Sequence, residues 1–339
     1  MPTGNSSRAI SALLAPACGL ALFLAPALAG GRAPSAASPC AAAIAQASVC
    51  QAASREAIRL LATRDLSGAV LMQTVTDGAL LAFAGSSSNV PHGAAPSEPI
   101  TLSSPLLPLS TVKLALAASW WERREGGGPD AGTAPPDIEK MLVNGYDEPA
   151  RHLALQLRIS VGPEAVLSDL SRFGFPSCTA SGSPPPPRPC VSLTSATPPD
   201  EWASALSVGE SGILVSLQQL SQFLVAVGND GVAPSPNGPE RRIMGPATAR
   251  QLQSAMLAAV DRGSGKGIRG RLGLQWEIGG KTGTGPASSH PCDGVFAGLV
   301  FDETGAARYS VICYLRHGGP GGGTPAEICA HLAKFVLGL

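Results

Sequence analysis

Strand-like patterns lie near both ends of this 339-residue chain, and the long stretch between them reads as helices. At the front, residues 67–75 and 79–84 are apolar runs separated by Thr76-Asp77-Gly78, a hairpin turn. At the back, residues 274–284, 295–301 and 309–316 have the same character, with Asp302-Glu303-Thr304-Gly305 turning between the last two. Backbone N–H and C=O groups in a core must find partners, so the two sets of strands are expected to pair with each other. The pattern predicts an α+β fold. It comprises an antiparallel sheet of about five strands, formed from both chain ends and packed with helices, plus a mainly helical subdomain in the middle of the chain.

Apolar positions at helical spacing predict helices over 48–62, 109–124, 138–143, 149–157, 163–173, 217–227, 246–260 and 326–339. Gly126-Gly127-Gly128-Pro129 ends the second, and a Pro/Ser-rich loop occupies 177–199. The last helix presents Ile328, Leu332, Phe335 and Val336 on one face. No internal repeat is visible. A hydrophobic content of 44% suffices for a core, while zero formal net charge and 14% charged residues supply no basic face for phosphates. Nucleic acid is therefore not an expected partner.

Residues 1–29 have the form of a secretory signal peptide: Arg8, an apolar stretch over 10–28, and Ala27-Leu28-Ala29 as a small-residue cleavage site. Pro16 and Pro26 interrupt the stretch, which favours cleavage over a retained anchor. Cys18 is disfavoured as a lipidation site because apolar sequence continues past it. The expectation is an extracytoplasmic protein with a 30–47 extension and a single domain over 48–339. Too little chain precedes Ser48 for a glycosyltransferase domain. Of eight cysteines, seven follow residue 29, and disulfides are expected in an oxidising compartment. Cys178 and Cys190 flank a loop containing Pro184 to Pro187 and form the first choice of pair; Cys40 and Cys50 form the second. The odd number leaves at least one thiol unpaired.

Two short motifs carry chemistry. In Ser110-Thr111-Val112-Lys113, at a helix start, positions i and i+3 share a face, so the Lys113 amine can reach the Ser110 hydroxyl. A serine becomes a nucleophile when a base takes its proton, and a lysine serves only if desolvation or a nearby cation lowers its pKa. Only five lysines occur, and Lys113 alone has a serine three positions earlier. In Lys281-Thr282-Gly283-Thr284, on a strand, Lys281 and Gly283 face one way and the threonines the other. A cation and hydroxyls at a strand edge can hold a carboxylate, while Gly283 lets another backbone approach. Taken singly, the first motif is equally an N-cap serine with a surface lysine, and the second an edge-strand lysine that discourages aggregation.

Ser-x-x-Lys followed much later by Lys-Thr-Gly on a strand resembles the transpeptidase domain of penicillin-binding proteins, within the serine β-lactamase and DD-peptidase superfamily. The resemblance runs from about Cys50 to Leu339. It includes Gly68-Ala69-Val70, Pro108-Leu109 before Ser110, Val161-Gly162-Pro163-Glu164, Phe173-Gly174-Phe175, Ser207-Val208-Gly209-Glu210, Leu217-Gln218-Gln219-Leu220 and Gly279-Gly280 before Lys281. It implies Ser110 as acyl-accepting nucleophile, Lys113 as its proton acceptor, and Lys281 as a further catalytic cation. It also implies an oxyanion hole from the N–H groups of Ser110 and Thr284, and a carboxylate site from Lys281, Thr282 and Thr284 around Gly283.

One departure stands out. The family's middle Ser-x-Asn motif falls, counting back from Leu153-Ala154, on Gly145-Tyr146-Asp147, so serine is replaced by glycine and asparagine by aspartate. Asp147 near Lys113 is expected to raise the lysine pKa, the wrong direction for a base. Tyr146 offers a substitute hydroxyl if turned inward. Ser87-Ser88-Asn89 matches the letters but precedes Ser110 and is rejected.

The resemblance implies a DD-transpeptidase or DD-carboxypeptidase acting on D-Ala-D-Ala peptidoglycan stem peptides and binding β-lactams, without cofactor or metal. One alternative is a catalytically impaired scaffold that binds peptidoglycan or a cell-wall protein partner; another is a β-lactamase or β-lactam sensor. Histidines 92, 152, 290, 317 and 331 lack metal-ligand spacing. Trp120 and Trp121 read as core and rim, Arg241-Arg242 as a solvated loop, and residues 318–323 as a phosphate loop in composition only.

Overall fold

The computed structural model describes residues 39–87, 98–125, 137–178, 188–234, 239–286 and 291–339. The expected signal peptide, the extension up to residue 38, Cys18, Ser88, Asn89, His92 and His290 lie outside the described residues, and so does the side chain of Cys40.

The chain runs through α1 (Pro39–Ala62), β1 (Ser67–Thr74) and β2 (Leu80–Ser86) to a 3-10 turn, Leu109–Thr111, that leads directly into α2 (Val112–Glu125). A π-helical turn, Lys140–Asn144, precedes α3 (Asp147–Ser160), α4 (Pro163–Arg172), α5 (Pro199–Val208) and α6 (Leu217–Gly228). Two-residue strands β3 (Val232–Ala233) and β4 (Arg241–Arg242) lead to α7 (Pro246–Asp261). The chain ends with β5 (Glu277–Thr284), β6 (Gly294–Phe301), β7 (Ala307–Arg316) and α8 (Thr324–Val336). Helix α1 thus begins at Pro39, and a domain start at Ser48 falls inside it.

The main sheet has the order β2-β1-β7-β6-β5, antiparallel throughout, so the two chain ends pair through β1 and β7 as expected. Strand alternation separates its faces. Ala69, Leu71, Val295, Ala297, Leu299, Ile312 and Tyr314 join one core with α2, α6 and the helical middle of the chain. Val70, Met72, Phe296, Val300, Val311, Cys313 and Leu315 join a second core under α1 and α8. The sheet is therefore the centre of three layers, and its buried apolar side chains divide between two cores.

Three sequence readings change. Strand β5 begins at Glu277, because Leu274 is fully exposed and packs on nothing. Arg241-Arg242 forms the short exposed strand β4 opposite Val232 and Ala233 instead of a loop. The expected 177–199 loop is followed directly by α5, whose signals are readable: Pro199 in the first turn, Asp200 and Glu201 beside the helix N-terminus, and Gly209 as a left-handed cap. Cys178 and Cys190 are joined by a disulfide, as expected. Among the described residues, Cys313 and Cys329 are buried thiols, and no helix is long and apolar enough to cross a membrane.

Helix α5 is anchored by Trp202, which is completely buried where α5 packs against α3 and α2. The Arg158 guanidinium lies 5.1 Å from the indole centroid, yet the indole N–H has no hydrogen-bond partner among the described residues. A buried donor without an acceptor is costly, so the ring contributes through packing and its N–H detracts. Trp202→Phe is expected to stay within about 1.5 kcal/mol of the parent, whereas Trp202→Ala should lose about 3–5 kcal/mol. Urea midpoints of the two variants measure the difference.

Candidate active site

Ser110 is presented by a strained turn. The preceding Leu109 has φ 50°, a left-handed conformation that branched residues avoid. Holding it there costs on the order of 1–3 kcal/mol, and three contacts maintain it. The Leu109 side chain is completely buried, its N–H donates to Gly209 O at 3.1 Å, and a Cβ on Gly209 would sit 2.3 Å from Leu109 O. The result is a half-buried Ser110 at the head of α2, whose hydroxyl has no hydrogen-bond partner among the described residues.

Strand β5 is the sheet edge that meets this turn. Lys281 pairs with Ala297 and Gly283 with Val295, so both face the α2 layer. A Cβ on Gly283 would lie 2.9 Å from Leu109 Cβ and 3.2 Å from Ser110 N; only a bare Cα lets strand and turn touch. Thr282 and Thr284 face the other way, as the alternation predicts. The Thr282 hydroxyl is 2.7 Å from Ser264 Oγ, while exposed Thr284 accepts the Gly321 N–H at 3.3 Å. The glycine-rich 318–323 segment therefore braces this strand: a Cβ on Gly321 would fall 2.4 Å from Gly283 O. Ser264 and Gly321 escaped sequence reasoning, because no spacing rule ties either to position 282 or 283.

The middle loop closes the site from the third side. Gly145 has φ 85° as the cap of the π-helical turn, Tyr146 is extended, and Asp147 opens α3. The fully buried Lys113 amine donates to Gly145 O at 2.7 Å, Tyr146 O at 3.2 Å and Asp147 Oδ1 at 2.5 Å. Lys281, also buried, donates to Thr282 O at 3.0 Å, and a Cβ on Gly145 would lie 3.6 Å from its Nζ. Ser110, Lys113, Lys281, Gly283, Gly145 and Asp147 are thus brought near one another from scattered parts of the chain, but the Lys113 amine bonds the 145–147 loop and not the Ser110 hydroxyl it was expected to reach. Tyr146 does not supply an inward hydroxyl. Its side chain is more than half exposed and lines a surface pocket with Asp137, Lys140, Glu148 and His152. The described histidines 152, 317 and 331 are all exposed, and no cluster that could hold a metal occurs among the described residues.

Burial dominates the electrostatics. It pushes Lys113 below the ordinary lysine value, and the hydrogen bond and charge of Asp147 pull back without reversing it. This corrects the sequence expectation of a raised value, which weighed the carboxylate and not the desolvation. Lys281 is pushed down to about 7, first by burial and then by the Lys113 charge, with Asp147 opposing. Glu210, one residue beyond the Gly209 contact, is raised by partial burial and by the Asp147 charge. The resemblance included Glu210 in the 207–210 segment but gave it no role.

These shifts fix a pH dependence. The unfolded chain holds a lysine proton up to about pH 10.4, whereas folded Lys281 releases it near 7, so the unfolded state binds more protons between those limits. Stability contributed at this position rises with pH across that window, and below pH 7 the full cost applies, on the order of 5 kcal/mol at most. Lys281→Met is expected to be more stable than the parent at pH 6, with the margin shrinking toward pH 10. Thermal unfolding across pH measures it.

Known proteins share this architecture. The penicillin binding protein transpeptidase domain model matches residues 152–330, just over half of the chain, including Lys281–Thr284 but beginning after Ser110 and Asp147. No curated protein sequence matches. The transpeptidase domain of the FtsI4 D,D-transpeptidase from Legionella pneumophila superposes with a TM-score of 0.61 at 16% identity, over 85% of this chain and 95% of that one. A peptidoglycan glycosyltransferase from Burkholderia ambifaria gives 0.64 at 18% identity, over 86% and 95%. Penicillin binding protein 3 from Mycobacterium tuberculosis, complexed with aztreonam, gives 0.60 at 19%, over 86% and 77%. At such identities these structures speak for the fold. With the family match, they establish that this chain belongs to the penicillin-binding protein transpeptidase domain family.

Proposed function

We propose that this chain is a serine acyl-transferase acting on D-Ala-D-Ala stem peptides of peptidoglycan, as a DD-transpeptidase or DD-carboxypeptidase that β-lactams acylate. The observation that supports the reading is the close approach of Gly283 to the Leu109–Ser110 turn, near two buried amines that end against Gly145; among the described residues the Ser110 hydroxyl has no hydrogen-bond partner. The edge of β5 pairs with an extended peptide, and exposed Thr284, with Thr282 behind it, receives its terminal carboxylate. Ser110 Oγ attacks the carbonyl of the penultimate D-alanine while the N–H groups of Ser110 and Thr284 receive the developing oxyanion. D-alanine leaves, and water or an amine takes the acyl group from Ser110. The printed descriptions of the relatives, a D,D-transpeptidase and a penicillin binding protein holding aztreonam, support this choice of substrate and inhibitor. The signal peptide expected over residues 1–29 puts the reaction outside the cytoplasm, where that substrate lies.

A second reading, a binding scaffold without turnover, is favoured by one observation: every donor of Lys113 is engaged with the 145–147 loop. Covalent labelling separates the two. A fluorescent penicillin should label the protein, and intact-mass measurement should show one penicillin added. Ser110→Ala should take up none. An unlabelled parent, or equal labelling of Ser110→Ala, sinks the enzyme reading and leaves the scaffold; rapid turnover of a chromogenic cephalosporin would instead identify a β-lactamase.

A further inference from the structure

Lys113 and Lys281 both end against Gly145, yet they are partnered differently. Lys113 donates to three acceptors, the carbonyls of Gly145 and Tyr146 and the Asp147 carboxylate, at 2.7, 3.2 and 2.5 Å. A lysine ammonium has three N–H donors and no lone pair. Three acceptors, one of them anionic, fit the charged form and leave Lys113 no free lone pair with which to receive a proton. Lys281 has one hydrogen bond among the described residues, to Thr282 O at 3.0 Å, and its side chain is sealed from solvent. The charged groups that act on it are Lys113 and Asp147, and Asp147 Oδ1 is already bonded to Lys113; the Asp147 charge also acts on Glu210. Of two neighbouring buried cations, the one without a carboxylate sheds its proton first. The depressed Lys281 value, about 7, agrees with that order.

Position also allows the transfer to Lys281. It lies two residues before Gly283 on the same face of β5, and Gly283 touches the Ser110 backbone. Residues i and i+2 of a strand are about 6.6 Å apart, a span that an extended lysine stem covers.

We propose that Lys281 is the proton acceptor for Ser110, and that Lys113 is a positioning residue whose fixed charge holds the 145–147 loop. The inference rests on the acyl-transfer reading above and exchanges the two lysine roles that the family resemblance implies. In the acylation step the Ser110 O–H bond breaks and its proton goes to the Lys281 lone pair. Oγ bonds to the carbonyl carbon, whose π pair becomes the oxyanion. Collapse of the oxyanion expels the D-alanine nitrogen, which takes the proton back from Lys281. Asp147 is the cause of the exchange: where the family has a neutral asparagine, a carboxylate keeps Lys113 charged.

With only five lysines in the chain, lysine labelled with carbon-13 at the ε position gives a spectrum assignable from Lys113→Met and Lys281→Met. The Lys281 signal is expected to titrate near pH 7 and the Lys113 signal only at higher pH. Loss of the Lys113 proton first, or two ammonium signals at pH 8.5, overturns the assignment whether or not the protein is an enzyme. Kinetics give an independent test. Arginine stays charged and cannot act as a base, so Lys113→Arg should retain penicillin acylation within about tenfold, and Lys281→Arg should lose about a hundredfold or more. The reverse pattern restores Lys113 as the base. Absence of acylation in the parent removes the acyl-transfer reading itself, and the titration order still decides which amine is neutral.

Discussion

The pairing of β1 with β7 is the constraint on which the rest depends. It brings a strand from the front of the chain against one from the back, in register from Ser67 opposite Arg316 to Thr74 opposite Tyr309. Strands β6 and β5 then extend the sheet until its free edge meets the head of α2. Without that closure Ser110 and Lys281 belong to unrelated parts of the chain. With it, one missing side chain at Gly283 sets how closely strand and turn approach. A methyl group there would separate them, and the site is therefore a consequence of sheet topology as much as of its polar residues.

The same closure explains why two lysines are tolerated in the interior. Each is held in a position that water cannot reach, and isolated buried cations are costly. Lys113 is compensated by two carbonyls and a carboxylate that the loop before α3 supplies. Lys281 has one carbonyl and a neighbouring positive charge, and burial drives it toward the neutral form. The strain at Leu109 is of the same kind, a local cost held by packing against Gly209 and the α2-side core. The strained Leu109 and the two costly buried amines gather around the Ser110 turn, where a reactive group has use for them.

Much of the fold was legible because it rests on local rules. Thr76-Asp77-Gly78 marked the first hairpin, and Gly-Pro punctuation bounded α2. Alternation alone put Lys281 and Gly283 on one face of β5 and the threonines on the other. Helix α5 was overlooked despite a proline start and a glycine cap, because the proline-rich segment before it dominated the reading. Leu274 was placed in a strand because hydrophobicity was counted without knowing that nothing packs on it. At the site, Ser110, Lys113, Lys281 and the altered 145–147 loop could be found from motif order. Ser264 and Gly321 could not, and Glu210 was named without a role, since each matters through one contact or charge across the tertiary structure.

The amino-acid sequence by itself determined the α+β class and the strands that had to pair, and it made Cys178–Cys190 the first choice of disulfide. These follow from periodicity, turn residues and short-range spacing, which operate between neighbours in the chain; the distant site residues were named together only through motif order and the family resemblance. Only the tertiary structure decided that Tyr146 turns to solvent, that Asp147 grips Lys113, and that burial lowers both lysines in spite of the carboxylate. Desolvation and hydrogen-bond partnership depend on what lies within a few ångströms in space, and for these residues those neighbours come from far along the chain.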